Sequence, residues 1–223
     1  MWAMKQAVLG YHTANIGDDM QSLAAERFFT GKVVRLNRDR LDSPLLYFSR
    51  YRTILNGWFM SKPRHWPPLS TIDPLVISFH LSPWHGRKER LLEPRGRDFF
   101  EYHANRNGVG ARDLQTLRAF QDAGIDAYYS GCLTMTLKPP ADVVRTDDVY
   151  LVDLDPEVEA KLRQSTTQAF KTLTHNVPKD MPQKQRLERV NSYFRAYCGA
   201  KAVITSRIHA AFPSLAVGTP VLM

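Results

Sequence analysis

The chain has 223 residues, of which 43% are hydrophobic, and this is enough to form the core of one large or two small domains. It carries 30 Lys and Arg against 22 Asp and Glu, a net charge of +8. There is no unbroken apolar run of about 18 residues that would suit a membrane span. The two cysteines, Cys132 and Cys198, show no pairing pattern, so a reducing, cytoplasmic location is expected.

The first 131 residues alternate between short apolar runs rich in β-branched residues and stretches with helical spacing. "KQAVLGY" is typical of a buried strand, and "NIGDDMQSLAAERFF" places its apolar residues three and four apart, as a helix does. Strands are predicted at 5–11, 32–36, 52–58, 74–80, 108–112 and 126–131, and helices at 15–29, 95–106 and 113–124. This order predicts a parallel α/β unit.

The pattern breaks at "LKPPADVVRTDD", residues 137–148, where two prolines precede a polar stretch. We therefore predict a first domain over residues 1–140 and a second over 141–223. In the second, strands are predicted at 149–154, 170–175, 202–205 and 221–223, and helices at 156–165, 182–198 and 206–218. Because the chain stops at the first residues of a strand, the second domain is expected to be short or truncated.

The stretch "AVITSRIHAAF", residues 202–212, places two basic side chains where a strand gives way to a helix. If Ser206 caps that helix, Arg207, Ile208 and His209 fill its first turn, where free N–H groups and the helix dipole favour an anion. A guanidinium adds a planar fork suited to carboxylate or phosphate. Alternatively, Arg207 lies along the surface and His209 is a buried structural histidine.

Two other turns carry polar residues that suit a ligand. Arg112 follows a short predicted strand, and this is the edge where open α/β sheets bind ligands, although Arg112 could instead pair with Asp113 on the surface. In "ANIGDD", Asp18 and Asp19 are adjacent although one carboxylate is enough to cap a helix. The other could hold a sugar hydroxyl or act as a general base.

Several classes of site are not expected. The positive charge suggests an anionic partner, but the bases are dispersed and mixed with acids, as in "RLNRDR" at 35–40, so nucleic-acid binding is not expected. Peripheral membrane association stays open. The spacings H-x-x-x-H, C-x-x-C and H-E-x-x-H do not occur, so no metal site is predicted. A dinucleotide fingerprint and a P-loop do not occur either.

Three stretches together resemble the polysaccharide pyruvyl transferase family: "NIGDDMQSLAAERFF", "GVGARDLQTLRAFQDAGIDAYYSGCLTMTL" and "ITSRIHAAFPSLAVGTPV". The resemblance implies two Rossmann-like units in a GT-B-like arrangement. It also implies phosphoenolpyruvate as donor substrate, no separate cofactor, and a sugar residue of a glycan or lipid-linked precursor as acceptor. Relatives continue beyond the G-T-P-V stretch, whereas this chain ends at Met223.

The resemblance also implies roles for particular residues. Arg112 and the element Arg207, Ile208 and His209 would bind phosphoenolpyruvate. The loop residues Asn15, Gly17, Asp18 and Asp19 would lie on the acceptor side.

The chemistry of ketal formation fits these assignments. His209, kept protonated by the bound anion, would be the general acid, and Asp18 or Asp19 would activate a sugar hydroxyl. Two alternatives remain: a GT-B-type glycosyltransferase that uses a nucleotide sugar, and a non-catalytic truncated relative. A short second domain would expose a sheet edge, so a homo-oligomer is also open.

Overall fold

The computed structural model describes residues 4–82 and 88–223, which fold into two compact units. The first unit is built from the chain up to Tyr11 and from Ala25 to Leu133. The second unit is built from His12 to Ala24 and from Thr134 to Met223. A short stretch near the start of the chain is therefore part of the second unit.

The first unit contains a parallel sheet of six strands in the order β2-β1-β3-β4-β5-β6. This is a doubly wound order whose direction of winding reverses between β1 and β3. The strands are β1 (Met4–Gly10), β2 (Val33–Asn37), β3 (Arg50–Trp58), β4 (Ile72–His80), β5 (Val109–Ala111) and β6 (Tyr128–Tyr129). The helices are α2 (Lys88–Leu91), α3 (Pro94–Asn107) and α4 (Leu114–Asp122), with short 3-10 helices at Arg38–Arg40, Pro44–Phe48 and Pro63–His65.

An aromatic cluster forms the centre of the first unit's core. Phe79 of β4 stacks on Phe59 with ring centroids 4.9 Å apart, and Phe100 of α3 meets Phe120 of α4 at 4.8 Å. Trp66 packs against Phe79 and Phe100. Each large ring buries much apolar surface and prefers these offset or tilted contacts, so the cluster holds helices α3 and α4 against the sheet.

The second unit contains a parallel sheet of four strands in the order β10-β9-β7-β8. Read in reverse, as β8-β7-β9-β10, this order has the same winding as β2-β1-β3-β4 of the first unit. The direction of winding reverses between β7 and β9. Its strands are β7 (Val149–Val152), β8 (Phe170–Leu173), β9 (Ala202–Thr205) and β10 (Val221–Leu222). Its helices are α5 (Pro156–Ser165), α6 (Gln183–Gly199) and α7 (Ile208–Ala216), together with residues 17–24 of α1 (Gly17–Glu26).

The predicted elements are confirmed as an α/β fold with parallel sheets, and most bounds agree within two residues. The predicted helix α5 and strand β9 match the observed bounds. The strand predicted at 126–131 is much shorter and spans only Tyr128–Tyr129. The short 3-10 helices were not predicted from the sequence, because their few residues carry no periodic pattern.

Ser206 does not cap helix α7, so the expectation that followed from such a cap, with Arg207 inside the first turn, is wrong. The N-cap residue is Arg207, and the helix begins at Ile208. The Ser206 hydroxyl donates instead to the backbone oxygen of Asp153 at 2.6 Å, while Thr205 Oγ1 accepts from the Arg207 backbone N–H at 2.9 Å. The chain is thereby tied to its neighbouring strand, and the helix starts one residue later.

No helix in residues 4–82 and 88–223 combines the length and apolar character needed to cross a lipid bilayer.

Candidate functional site

A cluster of polar residues in the second unit lies at the carboxyl ends of β7, β8 and β9. Asp153 directly follows β7, Thr174 to Asn176 follow β8, and Arg207 lies two residues after β9. Strands β7 and β9 are neighbours and lie on the two sides of the reversal in winding. Open α/β sheets bind ligands in the crevice that such a reversal leaves at the carboxyl edge.

Asp153 connects these three strand ends. Its carboxylate accepts hydrogen bonds from Thr174 Oγ1 at 2.6 Å, from the His175 backbone N–H at 2.9 Å and from Arg207 Nε at 2.9 Å. Partial burial would raise its pKa, but these hydrogen bonds and the charge of Arg207 outweigh burial and lower it. Its φ of 49° lies in the left-handed region, which aspartate tolerates better than most residues.

Arg207 is held in place at the start of α7. Besides its ion pair with Asp153, its Nη2 donates to Asn176 Oδ1 at 3.1 Å. The side chain is still 36% exposed, so part of the guanidinium faces solvent. Ile208 and His209 follow as the first two residues of the helix. A pre-positioned guanidinium beside a helix start is an arrangement that suits a carboxylate or phosphate.

The loop before α1 lies against the end of β8. Ile16 N–H donates to the His175 backbone oxygen at 2.8 Å, and Val177 N–H donates to that of Ala14 at 2.8 Å. Asn15 and Asn176 form an antiparallel bridge. The loop thus extends the polar edge of the second unit and brings Asp18, whose Oδ2 accepts from Thr13 Oγ1 at 2.8 Å, to the same unit as Arg207.

Gly17 is the first residue of α1 and has three polar residues close to its Cα atom. A Cβ atom at this position would stand 3.0 Å from Asn15 Oδ1, from His175 Nδ1 and from His209 Cβ. Carbon atoms rarely approach side chains so closely, and only glycine leaves the space. The loop therefore packs directly against His209 and His175.

Replacing Gly17 with Ala is expected to destabilise the second unit by about 1–3 kcal/mol, because the added methyl group overpacks this contact. Gly17 is the first residue of α1, so the advantage that alanine has over glycine in a helix interior does not apply in full at this position. Urea unfolding measures the change, and Gly17→Ser should be at least as harmful. If both variants are as stable as the wild-type protein, a methyl group fits at this contact and the prediction is wrong.

His175 is a buried neutral imidazole. It is 1% exposed, and its Nε2 lies 2.7 Å from the Tyr197 hydroxyl. Its Nδ1 is buried without a hydrogen-bond partner and faces Gly17. Burial lowers the pKa of His175 to about 4, more than the nearby Asp153 raises it. The ring is therefore uncharged at neutral pH.

The low pKa of His175 predicts a loss of stability in acid. An unfolded histidine takes up a proton near pH 6.5, whereas folded His175 does so only near pH 4. Its stabilising contribution is therefore complete above pH 6.5 and is lost as the pH falls to 4, about 3 kcal/mol in all. Urea unfolding at pH 4 to 7 should show the free energy of the wild-type protein falling towards that of His175→Gln. Parallel curves for the two proteins would contradict this prediction.

Asp19 has a different environment from Asp18. It is 1% exposed and accepts from Nη2 of Arg186 at 2.6 Å and from Nε at 2.9 Å. Arg186 is fully buried and also donates to the backbone oxygens of Thr13 at 2.8 Å and Asn15 at 3.2 Å. Burial raises the pKa of Asp19, although the hydrogen bonds and the charge of Arg186 act against it. This ion pair fixes the loop of residues 13–19 to helix α6.

Arg112 lies in the first unit, just after β5. Its side chain is 10% exposed, with Nε 3.8 Å from Asp113 Oδ2, and its backbone N–H donates to the Phe79 backbone oxygen at 2.8 Å. Asp113 caps α4 and lies 2.6 Å from His80 Nδ1. Although burial opposes ionisation, hydrogen bonds from His80 and the Thr116 backbone lower the pKa of Asp113 to about 2.

The second unit thus contains seven of the predicted site residues, whereas Arg112 belongs to the first. Those seven are Asn15, Gly17, Asp18, Asp19, Arg207, Ile208 and His209. Five further residues of this region were not predicted from the sequence: Asp153, His175, Asn176, Arg186 and Tyr197. The only sequence signal for Asp153 and His175 was a polar residue at the end of a predicted strand, in "VYLVDL" and "FKTLTH".

Within residues 4–82 and 88–223, no cluster of three or more His, Cys, Asp or Glu side chains could hold a metal ion.

These features define a parallel α/β protein with a polar cluster at the winding reversal of its second sheet. The chain belongs to the polysaccharide pyruvyl transferase family, whose model matches residues 15–223, nearly the whole sequence. The family is one of transferases, and a polysaccharide-modifying transferase would bind a sugar acceptor. A search of curated proteins finds no match to the chain.

Proposed function

We propose that the protein transfers pyruvate from phosphoenolpyruvate to a sugar residue of a polysaccharide or its precursor, forming a ketal and releasing phosphate. The family match supports the transferase class. The observation that carries the choice of donor is Arg207 beside the start of α7, next to the buried His209. Arg112 of the first unit stays a prediction as a further donor ligand.

The donor suits this edge because it is small and carries about three negative charges near neutral pH. The part of the Arg207 guanidinium that faces solvent would bind the carboxylate or the phosphate in a bidentate manner. The start of α7 at Ile208 and His209 would add backbone N–H groups and the positive end of the helix dipole. Asp153 offsets part of the charge of Arg207 and fixes its direction.

In the proposed reaction, His209 donates a proton to the methylene carbon of phosphoenolpyruvate, which becomes a methyl group. Positive charge then develops at C2, where two sugar hydroxyl oxygens form bonds as the C–O bond to phosphate breaks. One hydroxyl proton passes to a general base and the other leaves with phosphate. His209 is 7% exposed, and the bound anion would favour its protonated form.

Of the two adjacent acids, we propose Asp18 as the general base. Asp18 is half-buried and is bonded to the Thr13 hydroxyl. Asp19 is fully engaged with Arg186 in the interior of the unit, where a sugar hydroxyl would have to displace a guanidinium. We assign Asp19 a positioning role, since its ion pair fixes the loop that carries Asn15, Gly17 and Asp18.

The test is the release of phosphate from phosphoenolpyruvate in the presence of a panel of lipid-linked and nucleotide-linked sugars. We expect release that depends on one class of acceptor, with the mass of the acceptor increased by a pyruvate ketal. Glycosyl transfer from a UDP- or GDP-sugar without phosphate release from phosphoenolpyruvate would instead assign the chain to the nucleotide-sugar transferases. Absence of both activities would identify a non-catalytic relative.

A further inference from the structure

A short 3-10 helix of the first unit, Pro44–Phe48, exposes three large apolar side chains. Leu45, Tyr47 and Phe48 are 77%, 60% and 68% exposed, respectively. The helix is held on the protein by Leu46, which packs against the core of the unit. We call Leu45, Tyr47 and Phe48 the apolar patch. Single exposed apolar residues are ordinary, but three in four consecutive positions suggest a surface that contacts something apolar.

The apolar patch is followed in the chain by a residue that lines a cavity at the amino edge of the first sheet. Two residues after Phe48, Arg50 begins strand β3, and Ile72 begins the neighbouring strand β4. Both residues line a cavity of about 470 Å³ between this sheet edge and helix α3. Along the chain, only Ser49 separates Phe48 of the apolar patch from Arg50 of the cavity.

The cavity is richer in basic than in acidic side chains. Among the described residues that line it, Arg50, Arg95 and Arg106 stand against Asp73 and Asp98. Asp73 Oδ2 also lies 3.9 Å from Arg52 Nε, so part of its charge is offset by a fourth arginine. Arg50, Arg95 and Arg106 are all exposed, and their charges remain available to an anion in solution.

This surface is separate from Arg112, the proposed donor ligand of the same unit. Arg112 follows the carboxyl end of β5, whereas Arg50 and Ile72 are the first residues of their strands. All strand pairs described in this sheet are parallel, so the amino and carboxyl ends form opposite edges. The cavity at Arg50 is therefore not part of a donor site at Arg112.

We propose that the apolar patch and the arginine-lined cavity together dock on an anionic phospholipid bilayer. Leu45, Tyr47 and Phe48 would enter the boundary between headgroups and acyl chains, where aromatic side chains are favoured. Arg50, Arg95 and Arg106 would bind lipid phosphates, and each arginine near an anionic surface contributes about fivefold in binding. This combination is what distinguishes a membrane surface from a soluble anion, which would not require the apolar patch.

The test is co-sedimentation of the full chain with vesicles, without any donor or acceptor, so that its outcome does not depend on the proposed activity. We expect binding to phosphatidylcholine vesicles that contain phosphatidylglycerol, little binding to phosphatidylcholine alone, and release by added salt. Both L45S/F48S and R95A/R106A should weaken binding about tenfold or more.

Matched control variants lie in the second unit. V158S/L215S removes two apolar side chains that are 53% and 47% exposed, and K184A removes a lysine whose side chain is 88% exposed. Neither should change vesicle binding, and all variants should keep the thermal midpoint of the wild-type protein. Absence of binding to anionic vesicles, or equal binding by L45S/F48S, would overturn the proposal. A wild-type dimer in sedimentation velocity that L45S/F48S makes monomeric would assign the apolar patch to a second copy of the chain instead.

Discussion

His209→Asn is expected to lower the rate of phosphate release from phosphoenolpyruvate by about 10²–10⁴-fold, the usual contribution of a general acid. Asparagine is similar in size and can donate a hydrogen bond, but it cannot deliver a proton to carbon at neutral pH. Donor binding should survive, because Arg207 keeps its contacts with Asp153 and Asn176. Steady-state kinetics measure the loss of rate, and isothermal titration with phosphoenolpyruvate measures the retained affinity.

The matched control for this experiment is His12→Asn. His12 is exposed and belongs to the same unit, so its replacement should leave the rate unchanged. If His209→Asn keeps a rate near that of the wild-type protein, His209 is not the general acid. If it loses both rate and donor affinity, His209 acts chiefly in binding.

Removing one partner of the Asp19–Arg186 ion pair is expected to lower the free energy of unfolding by about 3–5 kcal/mol. Both side chains are 1% exposed in this pair, so Arg186→Met leaves a carboxylate and Asp19→Ala leaves a guanidinium without its counter-ion in the interior. Arg186→Met also removes the donor to the backbone oxygens of Thr13 and Asn15. Asp19→Ala keeps this donor but removes the carboxylate that positions it. Urea unfolding of each single variant measures the loss.

The double variant Asp19→Leu/Arg186→Met separates the charge effect from a general loss of packing. Because it buries no unpaired charge, it should be more stable than either single variant. The matched surface control is Arg195→Met, which breaks the solvent-exposed pair of Arg195 with Asp142 at 2.7 Å and should change stability little. A single variant at Asp19 or Arg186 that is as stable as Arg195→Met would show that water reaches the pair.

The site could be predicted only in part from the sequence, and Arg186 shows why. In "QKQRLERVNSYF" it stands among polar residues of a helix, a pattern typical of a solvated face. In the structure it is fully buried, because its partner Asp19 lies 167 positions earlier in the chain. Conversely, Asp19 looked like one of two equivalent acids beside Asp18. A local sequence pattern does not reveal an ion pair between two residues so far apart in the chain.

His175 illustrates a second limit. Its position at the end of a predicted strand is visible in "FKTLTH", but histidine is intermediate between the usually buried and the usually exposed residue types, so this position does not reveal its burial. Its neutrality and its contacts follow from Tyr197 of helix α6 on one side and Gly17 of the loop on the other. These contacts form only because the end of β8, helix α6 and the start of α1 pack together, although they are far apart in the sequence.

The sequence by itself determined the strands and helices of this protein, because their apolar periods of two and about 3.6 residues are local properties. It also determined the family, because the stretches around Asp18, Arg112 and His209 carry recognisable residues in a recognisable order. Only the tertiary structure decided which polar side chains meet. The sheet order places β7 beside β9, and this adjacency brings Asp153 to Arg207 across 54 positions of the chain. Burial then keeps His175 uncharged at neutral pH. The free energy of ionising its ring depends on the groups that surround it in the fold, and its neighbours in the chain do not determine these groups.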